Sequence, residues 1–332
     1  MKKSLVALAV LAASGASFAQ SSVTLYGIAD MWFGGVKTDN GMGVSNTTTK
    51  LESGGVNESR WGLKGSEDLG GGLKANFKLE QGFALDTGTA AAGQAFSREA
   101  YVGFSGGFGE VKLGKVWTAY DDVSAASNAV FDSKLAPMNW VFKSVGYAGN
   151  PGNTVYYSSP TMGGLAGAVS YSLDEKVVSA PKVSSLNLTY GAGPVAVQLG
   201  YQEEDIANTA LTSDAKFLRL GGSYNFGIAT AKVALGKVAN VGYANGYDAT
   251  EWQIGADMPL GSALTLSVSY AKSEDSKSTG FEESRKGFGV AAAYSLSKRT
   301  FLYGGFNANR FTQQFASDRK VDILAVGVQH KF

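Results

Sequence analysis

Cysteine is absent from all 332 residues, which removes disulfides and thiol-based metal or nucleophile sites together. The single histidine, His330, sits two residues from the end. A Ser-His-Asp arrangement needs an imidazole placed to pass protons, and a histidine on the same alternating face as the terminal Phe332 reads as a packing residue, so a histidine-dependent hydrolase is set aside. Past the first 20 residues no stretch approaches the ~18–20 consecutive apolar residues of a spanning helix. A formal charge of +1, from 29 basic and 28 acidic side chains, gives no nucleic-acid footprint. The acid pairs in "YDDV" (120–123) and "SED" (66–68) read as solvated turns, no loop has the spacing of a calcium site, and "GGFGEV" lacks the strand–helix context of a nucleotide loop. No cofactor or metal is implied.

What is present is glycine (44), tyrosine (15) and phenylalanine (18), with only 6 prolines. The chain opens on "MKKSLVALAVLAASGASFAQ", a basic start, an apolar stretch and a small-residue cleavage pattern. This predicts a secretory signal over residues 1–19, leaving 332 − 19 = 313 residues from Gln20. Segments of about ten residues then alternate in polarity with period two, the signature of a strand with one apolar face. "PVAVQLGYQ" places Val195, Val197, Leu199 and Tyr201 on one side, and "ALTLSVSYA" places Leu264, Leu266, Val268 and Tyr270 likewise. The last segment, "DILAVGVQHKF", carries Leu324, Val326, Val328, His330 and Phe332 on one face to the end of the chain.

Short glycine-rich turns fall at 66–72, 106–110, 160–164, 191–194, 225–228, 259–262 and 296–299. Longer polar segments fall near 37–56, 85–95, 119–152, 174–183, 204–214, 239–248, 274–284 and 310–319. Seven turns and eight loops join sixteen strands. Tyr190, Tyr224 and Tyr294 precede short turns and Tyr171, Tyr201 and Tyr270 precede long loops, which puts rings at both rims of an apolar band. The expectation is an all-β, 16-stranded antiparallel transmembrane barrel over residues 20–332, with short periplasmic turns and long extracellular loops. Phe332 then ends the closing strand, which pairs with "SVTLYGIADMWF" so that no edge faces lipid.

Strand parity also sorts the charges. Trp61 and Leu63 face lipid, turning Arg60 and Lys64 inward; Phe77 and Leu79 face out while Lys74, Lys78 and Glu80 face in. Inward charge at this density requires a wet lumen, since a lipid-facing Arg or Lys costs ~2–4 kcal/mol at the midplane. For "SREAYVGF" two readings stay open: a bulge re-aims Arg98, or Tyr101 is the outward residue. The third loop, roughly 34 residues, holds Asp121, Asp122 and Asp132 against Lys134 and Lys143. It also holds Val130, Phe131, Leu135, Met138, Trp140, Val141 and Phe142, too apolar for a solvated loop. The barrel interior is the nearest enclosure.

The chain resembles the Gram-negative general porins, particularly their β-proteobacterial branch. The residues that carry the likeness are "SSVTLYGIAD", "SRWGLKGSEDLGGGLKANFKLEQGF" (59–83), "SREAYVGFSGGFGEVKLGK" (97–115), "SLSKRTFLYGGF" (295–306) and "VGVQHKF". The resemblance implies an outer-membrane homotrimer and a terminal Phe332 read by the barrel-assembly machinery. It implies passage of ions and small hydrophilic solutes through a constriction made by the inward-folded third loop. Carried over, Asp121 and Asp122 stand on the loop side and Arg60, Arg98 and Lys115 on the wall. It also favours Arg98 in the lumen. Where relatives often carry an arginine this chain has Tyr156, so one wall charge is lost and the expected anion preference is weak. A substrate-specific sugar or organic-anion channel would need an aromatic track, and inward aromatics read as sparse. An adhesin-like plugged barrel is the other alternative, against which the several inward charges and many glycines count.

Overall fold

The computed structural model describes residues 22–90, 94–173, 175, 182–205, 213–277, 282–314 and 316–332. The expected signal peptide lies outside the described residues, as do parts of the loops near 85–95, 174–183, 204–214, 274–284 and 310–319. Strands follow the alternating segments: β1 (Ser22–Asp39), β2 (Ser45–Ser53), β3 (Arg60–Gly70), β4 (Leu73–Ala84), β5 (Thr89–Ala90), β6 (Glu99–Gly106), β7 (Gly109–Lys115), β8 (Thr154–Ser158) and β9 (Leu165–Ser172). They continue with β10 (Lys182–Ala192), β11 (Val195–Asp205), β12 (Ala215–Asn225), β13 (Thr230–Ala239), β14 (Tyr247–Leu260), β15 (Leu264–Lys277), β16 (Glu282–Ser295), β17 (Thr300–Gln313) and β18 (Ala316–Lys331).

Eighteen segments make sixteen staves. β1 pairs with β3 over Ser22–Ile28 and with β2 over Met31–Asp39, so β2 and β3 are two halves of one wall strand. β5 pairs only with the end of β4, beyond the wall; 18 − 1 − 1 = 16. All pairings are antiparallel. The ring closes where β1 meets β18, in register from Ile28↔Lys331 to Asp39↔Lys320. Among the described residues every wall strand pairs with a neighbour on each side, which is how strands satisfy their backbone donors in hydrocarbon.

The break between β2 and β3 is held by one carboxylate. Asp30, fully buried on the inner face of β1, accepts the backbone N–H groups of Gly55 (2.9 Å), Val56 (3.2 Å) and Asn57 (3.0 Å). It also accepts the Tyr303 hydroxyl (2.6 Å) and the Gln329 amide (2.8 Å). A charge buried beside hydrocarbon is tolerated when it is fully hydrogen-bonded, and here five donors surround it. Three of those donors come from residues 55–57, so the carboxylate turns that segment off the wall and into the lumen.

On the outside, Val23, Leu25, Val102, Phe104, Leu188, Ile254, Leu324 and Val326 are exposed; on the inside of the same strands Asp30, Glu99, Asn187, Gln253 and Gln329 are buried. A protein with its apolar side chains outward and its polar ones inward is built for lipid. The C-terminal residue completes the seam: the Phe332 N–H donates to the Gly27 carbonyl (3.1 Å) and the Gly27 N–H donates to the Phe332 carbonyl (3.0 Å). Its ring lies over Gly27, where a Cβ would sit 2.2 Å from the ring edge. Deleting Phe332, or replacing Gly27 with Val, is expected to lower the yield of folded barrel, read as loss of the heat-modifiable band on an unboiled gel. Parental yield in both variants would show that the seam closes without this contact.

Candidate functional site

The third loop leaves β7 at Val116 and does not return to the wall until Thr154. Its apolar residues are buried: Val123, Val130, Leu135, Met138, Val141 and Phe142 pack against the inner wall, with short helical turns at Asp121–Ser124 and Met138–Val141. The loop is an out-and-back strap. On the way out, Ala119 N–H donates to Ser170 Oγ (3.2 Å), Tyr120 N–H to Ser185 Oγ (3.3 Å) and Val130 N–H to Ser267 Oγ (2.7 Å). Gln253 donates to the Ser127 carbonyl (2.9 Å) and Asn307 to the Leu135 carbonyl (3.0 Å). On the way back the Lys143 and Ser144 N–H groups donate to Glu251 and the Ala148 N–H to Glu204 (2.6 Å). Polar side chains on β9, β10, β14, β15 and β17 take up the backbone groups of the outgoing arm, and those on β14 and β11 hold the returning one, satisfying groups that burial would otherwise orphan.

Contact this close needs room on the wall, and inward-facing glycines supply it. A Cβ at Gly200 would meet Val123 at 2.7 Å, at Gly221 Ser127 at 2.5 Å, at Gly255 Ala129 at 2.5 Å and at Gly289 the Leu135 carbonyl at 2.3 Å. The four lie on β11, β12, β14 and β16, a smooth track under the strap.

The strap places its acids differently from one another. Asp121 accepts the Tyr147 hydroxyl (2.5 Å); Asp132 accepts the Asn128 (2.7 Å) and Asn139 (3.1 Å) side-chain amides. Both border an open space of ≈ 380 Å³ that Arg98, Trp117 and Arg219 also line. Asp132 is aimed there by three consecutive left-handed residues, Val130, Phe131 and Asp132 (φ 56, 61 and 50). Each costs ~1–2 kcal/mol, offset by burial of Val130 and its bond to Ser267. Asp122 turns the other way, to the Tyr156 hydroxyl (2.7 Å) and Asn187 (3.2 Å). Desolvation raises Asp121 to about 6, the Tyr147 and Arg98 contacts opposing it only in part. The same cause raises Asp122 and Asp132, although each keeps one side open to the lumen.

Across the lumen, Arg60, Lys78 and Arg98 converge on Glu80, which is 3% exposed. The separations are 3.8 Å from Arg60, 3.4 Å from Lys78 and 2.7 Å from Arg98. Lys78 also pairs with Glu99 and Arg98 with Glu58, and Arg98 stacks on Trp117 at 5.0 Å. Three cations therefore meet three carboxylates. Arg98 lies just before β6 and its N–H donates to the Glu80 carbonyl (3.1 Å), while Glu80 pairs with Glu99 in the strand register. That doubling is the re-aiming bulge; Tyr101 faces inward, Val102 and Phe104 outward.

Lys115, the last residue of β7, donates to the Asn150 carbonyl (2.6 Å), where the strap returns. The lumen-facing lysine of β7 is Lys112, which sequence parity with Leu113 would have found; it lies over the rings of Tyr156 (4.8 Å) and Tyr101 (5.4 Å). Lys64 and Lys74 line a second space of ≈ 440 Å³ with Tyr101, Asn76 and Glu110. Inner aromatics are more numerous than the sequence suggested: Tyr26, Tyr101, Trp117 and Tyr156 all face in. Lysine or arginine groups lie over each of them, so they do not form a bare track for sugars.

A closed barrel with an apolar exterior, a charged interior and a strap across its lumen is an outer-membrane diffusion channel. The sequence profile described as Gram-negative porin matches residues 4–314, and the chain belongs to that family. It is 37% identical to outer membrane porin protein 32 of Delftia acidovorans, over 99% of this chain and 95% of that one. It is 31% identical to an outer membrane porin protein of Bordetella pertussis over 100% of both chains. Among solved structures, the anion-selective porin from Comamonas acidovorans superposes with a TM-score of 0.78 at 27% identity, over 94% of this chain and 100% of that one.

Overpacking a close contact costs ~1–3 kcal/mol. Gly289→Val should leave the barrel folded but displace the strap, raising single-channel conductance or its noise in a planar bilayer. Conductance indistinguishable from the parent would mean that the strap does not depend on this track.

Proposed function

We propose that the strap and the Glu80 cluster form the eyelet of a weakly anion-preferring general porin. Arg60, Arg98 and Lys78 stand on the wall, Asp121 and Asp132 on the loop, and Asp122 and Tyr156 anchor the loop from below. The carrying observation is that Arg98 and the two aspartates border one open space. Opposed charges across a water path set up a transverse field that orients dipolar solutes and lets both ion signs pass. Because Glu80, Glu99 and Glu58 offset the three wall cations, strict exclusion of cations is not expected. The remaining bias comes from Lys64 and Lys74, which make no ion pair among the described residues and flank the path on the short-turn side. The finer reading includes a cleaved signal over residues 1–19, a mature barrel over 20–332, recognition of Phe332 by the assembly machinery and a homotrimer. The terminal pairing of Phe332 supports its part in closure, and the outer-membrane location in the relatives' names accords with export.

Neutralising Arg60 and Arg98 together, each to Gln, should move the reversal potential in a salt gradient towards cations. An unchanged potential in a folded variant would place the selective charges elsewhere.

The raised Asp121 adds a pH test. Its carboxylate is charged above about pH 6 and neutral below, so acidification removes negative charge from the loop side, and Asp122 and Asp132 add in the same direction. Lowering the pH from ~7.5 to ~5 should therefore shift the reversal potential towards anions, and Asp121→Asn should lose the step near pH 6. A step that survives in Asp121→Asn would assign it to other groups.

A further inference from the structure

Conduction asks for a polar interior, yet one part of this lumen is apolar. Beside the strap, Val36, Val56, Trp140 and Ile323 line the floor of a recess of ≈ 360 Å³. The same side chains pack on the buried cluster around Trp32, Val130 and Leu135. β1 rises from Ile28, opposite Arg60, to Val36, opposite Thr48, so the recess lies on the long-loop side of the wall cations, where a solute enters from outside.

The rim of the recess carries both signs of charge: Lys50 and Lys134, with Glu52, Glu58 and Asp132. Glu52 lies between the two lysines, 3.1 Å from Lys50 and 2.7 Å from Lys134, and all three side chains are partly open to water. Ion pairs this open contribute little, so the lysines can exchange Glu52 for another carboxylate. Asp132 is exposed, is held by the side-chain amides of Asn128 and Asn139, and makes no ion pair among the described residues. Trp32 adds a donor: its buried indole N–H hydrogen-bonds to nothing among the described residues, although buried donors are normally paired.

An apolar floor under a few placed polar groups is how small-molecule sites are built, and the groups present select the molecule. A simple anion would meet three carboxylates, a simple cation two lysines, and neither would use the floor. A sugar would want a bare ring to stack on, and Lys134 covers that of Trp32 at 5.3 Å. A molecule with one carboxylate, one ammonium and a short apolar body uses every part.

We infer that the recess is an entry-side binding site for a zwitterionic α-amino acid with an aliphatic side chain. The carboxylate lies by Lys50 and Lys134, the ammonium by Asp132, and the apolar body on Val36, Val56 and Trp140. Occupancy there concentrates such a solute next to the strap. The inference rests on the open lumen of the porin and not on the selectivity assigned to the eyelet, with which the recess shares Asp132.

The test uses the folded barrel in neutral detergent with L-leucine as the probe, read by NMR as saturation transferred from the protein to the leucine methyl protons, with empty micelles as background. The signal should saturate, half-maximal on the order of 1–10 mM. L-serine, leucinamide and N-acetyl-leucine lack the apolar body, the carboxylate and the ammonium in turn, and each should compete roughly tenfold more weakly than leucine itself. Val36→Thr should weaken leucine binding about threefold, and Lys50→Gln by a similar factor. Single-channel conductance of the parent, taken in parallel, reads the channel itself. A leucine signal at background with normal conductance would overturn the site alone, whereas a parent without conductance would overturn the channel and the site together. Competition by serine or glucose equal to that of leucine would show a polar or carbohydrate site and overturn the assignment. Parental affinity in both folded variants would place the leucine elsewhere and overturn it too.

Discussion

A backbone amide in hydrocarbon has no water to bond, and every other feature of this molecule follows from meeting that constraint with strands. Strands satisfy their amides only in neighbours, so the sheet must close, and β1 must find β18 along its whole upper half. Closure gives every strand one face to lipid and one to the interior. The period of two then forces a polar residue inward for each apolar residue outward. A ring of sixteen strands encloses more volume than those side chains fill. The polar interior is therefore wet, and the remaining problem is to restrict it.

The strap meets that need with the residues closure had already turned inward. Ser170, Ser185, Gln253, Ser267 and Asn307 are ordinary products of alternation, and they double as donors and acceptors for loop backbone. The glycines between them allow the loop to lie against the wall. At the two ends of its path the holds are acidic: Glu251 and Glu204 receive the returning backbone, and Asp30 holds residues 55–57, whose Gly55 carbonyl accepts the Lys134 N–H at 2.8 Å. Strap and barrel seam are thereby joined through one carboxylate.

The period-two faces made the strand count, the rims and the closing role of the C-terminus legible from sequence. The inward fold of the third loop was legible too, because Val130, Leu135, Met138 and Phe142 are misplaced in water. The break at 54–59 was not, since it depends on five donors from three distant segments meeting Asp30. The glycine track escaped notice because a glycine within a strand carries no pattern of its own. Lys115 was read as a wall charge by likeness, and at the end of β7 it donates to the returning strap at Asn150. Tyr156 was placed on the wall by likeness; Tyr26 and Tyr101 were accessible to simple parity, and counting only apolar faces passed over them.

The interior charges are better understood as a network than as a ring of cations. Glu80 is shared by Arg60, Lys78 and Arg98, and Tyr26 donates to it at 2.8 Å. A buried carboxylate with this many partners fixes three long cationic side chains in place, which independent side chains in water would not tolerate entropically. Its cost is charge: what the cluster gains in order it loses in net field. Position then matters more than number. In the proposed eyelet Arg98 counts because it lines the open space that Asp121 and Asp132 also line, whereas Glu58 and Glu80, its counter-charges, do not line it. In the eyelet proposed above, a permeating ion would meet a local dipole across the path and only a small surplus along it, the arrangement expected of a channel that filters by size first and by sign second.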